Sequence, residues 1–190
     1  RVMWVQTTNP WVSVPNVRRI QREPGDGRFL IVSDIYPTPT TEAADLILPS
    51  AGWVEREGMF GNSERRTQHW AKAVEAPGEA TEDAWQVIQV AKRMGMGHLF
   101  PWPDDDWHEP MFEEYRRFGL GIGKDLASYA QLKETRGMLW PVVDGKETRY
   151  RYAAGHDPYV KKAEGVHFYK AKGFGERAAL WLRPYHPAAE

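Results

Sequence analysis

Three short apolar runs within the first fifty residues organise this chain. Residues 2–6 (Val2-Met3-Trp4-Val5-Gln6), 29–32 (Phe29-Leu30-Ile31-Val32) and 45–49 (Asp45-Leu46-Ile47-Leu48-Pro49) are rich in aliphatic and β-branched side chains and are bounded by polar or turn-forming residues. Runs that stay apolar at nearly every position, without alternation, are the pattern of strands buried on both faces. Between the first two, residues 16–22 predict a short helix, and Gly25-Asp26-Gly27 predicts a turn into the second strand. Between the second and third, Thr40 or Thr41 ahead of Glu42-Ala43-Ala44 predicts a capped helical turn. Strand and helix alternating in this way predict an α/β fold, a Rossmann-like parallel sheet with flanking helices. Ligands of such sheets bind beyond the carboxyl ends of the strands, and Asn9 and Asp34 lie just past the first two runs.

The pattern changes along the chain. Residues 81–94 open with Glu82 and Asp83, close with Lys92 and Arg93, and carry apolar side chains at 84, 85, 87, 88 and 91, which predicts an amphipathic helix stopped at Gly95. The proline- and aspartate-rich residues 101–107 predict a boundary, dividing the chain into an α/β domain over 1–100 and a connecting region over 101–190. In the latter, helices are expected over 110–118 and 125–134, separated by the glycines at 119, 121 and 123. Short β pieces are expected over 139–143 and 148–152 around an Asp144-Gly145 turn. The last thirty residues, aromatic and basic, read as an extended connector, so the second region is an irregular α+β extension.

Composition narrows the function classes. With 190 residues, 42% of them hydrophobic, the chain can build a core, and a net charge of −1 gives no basic face for nucleic acid. No apolar run reaches the roughly 18 residues needed to span a bilayer. The absence of cysteine excludes disulfides and any thiolate ligand for an iron–sulfur cluster or a molybdenum ion. The six histidines show no metal-ligand spacing, and neither a Gly-x-Ser-x-Gly elbow nor a phosphate-binding Gly-Lys-Ser/Thr loop occurs. A strand-like run that starts at the second residue suggests an internal segment of a longer polypeptide.

Five side chains carry the candidate chemistry. The carboxylate of Asp34, at a strand end, is suited to accept two hydrogen bonds from ribose hydroxyls or from the N1 and N2 edge of guanine, or else it builds a turn. Ser33 precedes it. Asn9 offers both donor and acceptor to a phosphate or base, or satisfies its own turn. Arg56 supplies a cation, or is solvated between Glu55 and Glu57. Asp83, in the first turn of its helix, serves either a ligand or the helix dipole. Glu64-Arg65-Arg66 reads as a charged surface run.

Two long ordered strings join these residues. The first runs Ser33-Asp34-Ile35-Tyr36-Pro37-Thr38 to Asp45-Leu46-Ile47-Leu48-Pro49, and the second Trp53-Val54-Glu55-Arg56-Glu57-Gly58-Met59-Phe60-Gly61-Asn62-Ser63-Glu64-Arg65-Arg66-Thr67-Gln68. Together they resemble the segment with which molybdopterin-dependent oxidoreductases grip a guanine dinucleotide, most closely in the catalytic subunits of periplasmic nitrate reductases. A further block, from Phe112-Glu113-Glu114-Tyr115 through Arg136-Gly137-Met138-Leu139-Trp140-Pro141-Val142-Val143-Asp144-Gly145 to Asp157-Pro158-Tyr159-Val160, resembles those nitrate reductases rather than the related formate dehydrogenases.

The resemblance implies a Mo-bis(molybdopterin guanine dinucleotide) cofactor and one 4Fe-4S cluster in the parent protein, both with protein ligands outside this chain. It implies nitrate as substrate, a cytochrome c-type electron donor and the rest of the catalytic subunit as partners, and a periplasmic location. By the same resemblance Asn9, Ser33, Asp34, Arg56 and Asp83 bind the cofactor, no residue here is catalytic or a metal ligand, and the segment alone is inactive. The chain departs from the family at Thr8, where asparagine is usual, at Arg56, commonly lysine, over a shortened stretch at 96–108, and over 177–190. A formate dehydrogenase or other molybdopterin oxidoreductase segment, or a nucleotide-binding module without catalysis, are the alternatives.

Overall fold

The computed structural model describes residues 1–19, 27–160 and 182–187. The described residues fall into two compact units, one within Arg1–Arg56, Ala71–Asp104 and Pro187–Glu190, the other within Glu57–Trp70 and Asp105–His186. The fold is mixed α/β, with a parallel sheet and antiparallel pieces.

In the first unit, β1 (Val2–Gln6), β2 (Phe29–Asp34) and β3 (Leu46–Pro49) form a parallel sheet in that order. The three apolar runs of the sequence thus become its three strands, but they are not buried on both faces as their pattern predicts, since Val2, Phe29, Leu46 and Ile47 are exposed. Val5 pairs with Val32, and Val32 with Ile47, so these side chains share one face. Val5, Leu30 and Val32 are buried there against Trp11, Ala43 and Ala44, each contributing about 1.5–3 kcal/mol by removal from water. Trp11 belongs to α1 (Pro10–Ser13), and the two alanines follow α2 (Pro39–Glu42). Leu30 N donates to Asp45 Oδ2 (2.7 Å), pinning the approach to β3.

The cap of α2 is Thr38, not Thr40 or Thr41. Thr38 Oγ1 accepts from Thr41 N (3.2 Å) and Thr41 Oγ1 accepts from Thr38 N (2.7 Å), a reciprocal capping box with Pro39 in the first turn. Thr40 is instead fully buried. In place of the helix expected over 16–22, the described part is a short 3-10 turn, Val17–Arg19; residues 20–22, and Gly25 and Asp26 of the expected turn, lie outside the described residues.

A chain segment crosses beneath the carboxyl end of β3, where Thr81 N donates to Pro49 O (3.1 Å) and Ala51 N to Thr81 O (2.9 Å). It leads into α3 (Asp83–Ala91), which is shorter than the helix expected over 81–94. After Ala91 the chain widens into a π turn, Lys92–Met96, within which Gly95 adopts φ 79°, a conformation that favours glycine. The glycine stops the helix as its position predicts, but through an intervening π turn.

The second unit holds α4 (His108–Arg117) and α5 (Tyr129–Glu134) against a three-stranded antiparallel sheet. Its strands are β4 (Gly58–Gly61), β5 (Arg66–Trp70) and β6 (Met138–Leu139). Phe112, Ala127, Tyr129 and Leu132 form its core, with Met59 and Met138 packed on them. Ser128 caps α5 by accepting from Gln131 N (3.2 Å), so this helix starts four residues later than the charge pattern suggests. Gly137 has φ 107°, and a Cβ there would stand 2.5 Å from Gln68 Cγ and 2.8 Å from Thr67 O, so only glycine lets β6 pair with β5.

The strands β7 (Val142–Val143) and β8 (Lys146–Glu147) close across Asp144 and Gly145, both at positive φ as a two-residue hairpin turn requires. Residues 148–152 are not a strand: β8 ends at Glu147, and Tyr152 stands at φ 62°. Of the expected C-terminal connector, residues 182–187 are irregular and exposed, while 161–181 and 188–190 lie outside the described residues. No helix among the described residues is long and apolar enough to cross a membrane.

Candidate nucleotide site

All five residues singled out by sequence line one cavity of about 390 Å3 in the first unit, at the carboxyl ends of the parallel strands. Its size falls within the range of roughly 300–1,000 Å3 typical of small-molecule sites. β1 delivers Asn9, β2 delivers Ser33 and Asp34, and the turn after β3 leads to Arg56.

Asp34, the last residue of β2, divides its carboxylate between two tasks. Oδ1 accepts from Ile35 N (2.7 Å) and Tyr36 N (3.4 Å), building the turn, while Oδ2 has no partner among the described residues. The turn-forming and ligand-accepting alternatives are therefore compatible in one side chain. Of the two carboxylate oxygens expected from sequence to grip a ligand, Oδ2 is the one left without a partner among the described residues.

Asn9 stands at the start of α1 but makes no side-chain cap bond. Its Oδ1 accepts from Thr40 Oγ1 (2.5 Å), and Thr40 Oγ1 in turn accepts from Trp11 N (3.1 Å). With the carbonyl held this way, the Nδ2 donors have no partner among the described residues. Asn9 thus offers hydrogens where Asp34 offers lone pairs.

Ser33 and Asp83 are more fully committed. Ser33 belongs to the cavity wall yet is 0% exposed. Its hydroxyl accepts from Trp4 Nε1 (2.9 Å) and donates to Gln86 Oε1 (2.7 Å), tying β1 and β2 to α3. Gln86 is also buried, and its Nε2 donates to Pro49 O (3.1 Å). Asp83, in the first turn of α3, accepts from Ser50 Oγ at Oδ1 (2.7 Å) and from Arg56 Nη1 at Oδ2 (3.0 Å). Its negative charge at the helix N-terminus also suits the dipole.

The Arg56–Asp83 ion pair joins two residues that the sequence treats separately, 27 positions apart. Arg56 is not solvated between Glu55 and Glu57. Its Nε is buried and has no hydrogen-bond partner among the described residues, a costly state for part of a cation. Arg56 also lines the cavity, and in that respect the residues present fit a dinucleotide carrying a pyrophosphate. No group of three or more potential metal-ligating side chains occurs among the described residues.

Sequence reasoning missed Thr7 and Trp53 as cavity residues. Thr7 adopts φ 57°, where the chain turns out of β1. The tryptophan at 53, in the same string as Arg56, was the available signal. In the second unit, Arg65 is an internal clamp rather than part of a surface run. Its guanidinium donates to the carbonyls of Trp140, Thr148 (3.1 Å) and Arg149 (3.2 Å).

The second unit also contains a polar cluster that sequence reasoning did not foresee. Glu57 Oε1 accepts from His69 Nε2 (2.9 Å) and from the Tyr129 hydroxyl, with Lys133 Nζ at 3.9 Å. Burial raises the Glu57 pKa, but the bonds from Tyr129 and His69 and the charge of Lys133 outweigh it, holding the carboxyl below its usual range. Burial, together with the bond to Glu57, pushes the Tyr129 phenol up.

The segment that supplies the cavity is also the segment that matches a known family. Residues 1–93 match the sequence model of the family described as molybdopterin oxidoreductase. Among solved structures, acetylene hydratase from Pelobacter acetylenicus is similar over 63% of this chain, at 24% sequence identity and a TM-score of 0.43. The chain spans 16% of the length of that protein.

Proposed function

We propose that this chain is part of the catalytic subunit of a molybdenum-dependent nitrate reductase and that its cavity holds one molybdopterin guanine dinucleotide. The observation that carries this reading is the set of open hydrogen-bonding groups around one cavity within the segment that matches the molybdopterin oxidoreductase family. Asp34 Oδ2 accepts, Asn9 Nδ2 donates, and the buried Arg56 Nε lacks a partner. In this assignment Asp34 takes N–H donors of the guanosine and Asn9 takes an acceptor atom of the base or a phosphate. Arg56 neutralises the pyrophosphate, and Asp83 holds Arg56 in place. Ser33 contributes by fixing the strand that presents Asp34.

When bound, the molybdenum centre supplies the two-electron chemistry that converts nitrate to nitrite. This chain's own residues bind and orient one dinucleotide, and metal and cluster ligands come from polypeptide beyond it. The reading extends to a second guanine dinucleotide and a 4Fe-4S cluster in the parent subunit, a cytochrome c-type donor, and a periplasmic location. The resemblance over residues 112–160 favours nitrate over formate as substrate.

The full-length polypeptide tests this directly. Purified with its metal, it is expected to contain molybdenum and to reduce nitrate with an artificial viologen donor, and Asp34→Ala is expected to lower molybdenum occupancy severalfold. Full occupancy in that variant would remove Asp34 from the cofactor's grip, and formate oxidation without nitrate reduction would replace the substrate.

A further inference from the structure

The polar groups of the cavity leave the flat faces of a base unaccounted for. Two half-exposed apolar side chains line the same cavity, Ile35 at 51% exposure and Trp53 at 53%. Singly exposed hydrophobic residues are ordinary on protein surfaces, so exposure alone assigns nothing. Tyr36, at 69%, is more exposed and is not among the residues that line the cavity. Trp53 differs in where it stands and in how firmly its backbone is held.

Trp53 opens the short 3-10 turn Trp53–Glu55. Gly52 N donates to Glu55 Oε2 (2.6 Å), and Glu55 N donates back to Gly52 O (3.1 Å). On one side Ala51 is buried and bonded to Thr81, and on the other Val54 O accepts from Ala73 N (2.8 Å) and Val74 N (3.2 Å). A half-exposed indole on a backbone pinned from both sides presents a large aromatic surface at little further entropic cost. The ends of β1 and β2 supply donor and acceptor edges through Asn9 and Asp34, and the end of β3 supplies an aromatic face.

We propose that Trp53 is a base-stacking residue of this cavity, packing its indole on the planar heterocycle of the nucleotide whose edge Asp34 reads. The proposal rests on the nucleotide reading above and adds to it the residue that selects a large fused ring over a small one. Stacking of a base on an aromatic side chain depends on ring area and is independent of the phosphates.

Isothermal titration of the 190-residue chain with GDP, CDP and inorganic pyrophosphate separates the contributions. The unsubstituted chain is expected to bind GDP more tightly than CDP. Trp53→Ala is expected to weaken GDP binding by roughly five- to a hundredfold and to leave pyrophosphate binding unchanged, while Trp53→Phe keeps most of the GDP affinity. Unchanged GDP affinity in Trp53→Ala, or an equal loss for GDP and pyrophosphate, overturns the stacking role. If the unsubstituted chain binds pyrophosphate but none of the nucleotides, stacking fails while the anion site stands. If it binds none of the three ligands, the nucleotide reading itself fails, and stacking with it.

Discussion

The hydroxyl of Ser33 satisfies two buried groups at once, Trp4 Nε1 and Gln86 Oε1. Ser33→Ala strips a partner from each, which costs about 1–3 kcal/mol for an unsatisfied buried group. Urea unfolding should therefore show Ser33→Ala destabilised by that order, with a smaller loss of nucleotide affinity than Asp34→Ala. Asp34→Ala should do the reverse, because half of that carboxylate is committed only to a local turn. If Ser33→Ala instead lowers GDP affinity without moving the unfolding midpoint, Ser33 touches the ligand directly. The difference between these neighbours was not legible in the sequence. An acid at a strand end announces either a turn or a ligand from its position alone, whereas the buried fate of Ser33 depends on Gln86, 53 positions away. The Arg56–Asp83 pair was hidden for the same reason.

Among elements, the β4–β5 hairpin and α5 meet through Glu57, His69 and Tyr129, with the His69 and Tyr129 rings edge to face at 5.5 Å. Because the folded-state pKa of Glu57 lies below its ordinary 4.5, the stabilisation is present above that value and is lost as pH falls through the folded-state pKa. Thermal unfolding followed against pH should show Glu57→Gln less stable than the unsubstituted chain near neutrality, with the gap closing on acidification below about 4.5. A gap independent of pH would show that charge plays no part. The strands that carry the site were legible because their apolar runs are local. The cap of α2 was not, since three threonines compete there and only the φ/ψ imposed by Pro39 selects Thr38. Nor was the start of α5, where Ser128 outweighs the acidic Asp125. Asp125 is buried, accepting from Gly121 N (2.6 Å) and Gly123 N (3.2 Å).

At the scale of the molecule, the division into units does not follow chain order. Residues 57–70 interrupt the first unit's sequence yet belong to the second, although the string that resembles the molybdopterin enzymes runs continuously through Trp53 to Gln68. A linear reading locates a boundary where composition changes, near residue 100, and has no means of detecting a hairpin that packs on helices far along the chain. The proposed ligand of the first unit is a guanine nucleotide, received by the open groups at its strand ends. The most direct measurement is a nuclear magnetic resonance titration with GDP that follows the side-chain Nδ2–H2 signals of Asn9 and the Nε–H signal of Arg56. Saturable shifts are expected in both, with a common dissociation constant, and none in the side-chain Nε–H of Arg65. Asn9 and Arg56 signals that stay fixed while GDP binds, or shifts confined to the second unit, would contradict a guanine nucleotide at these groups.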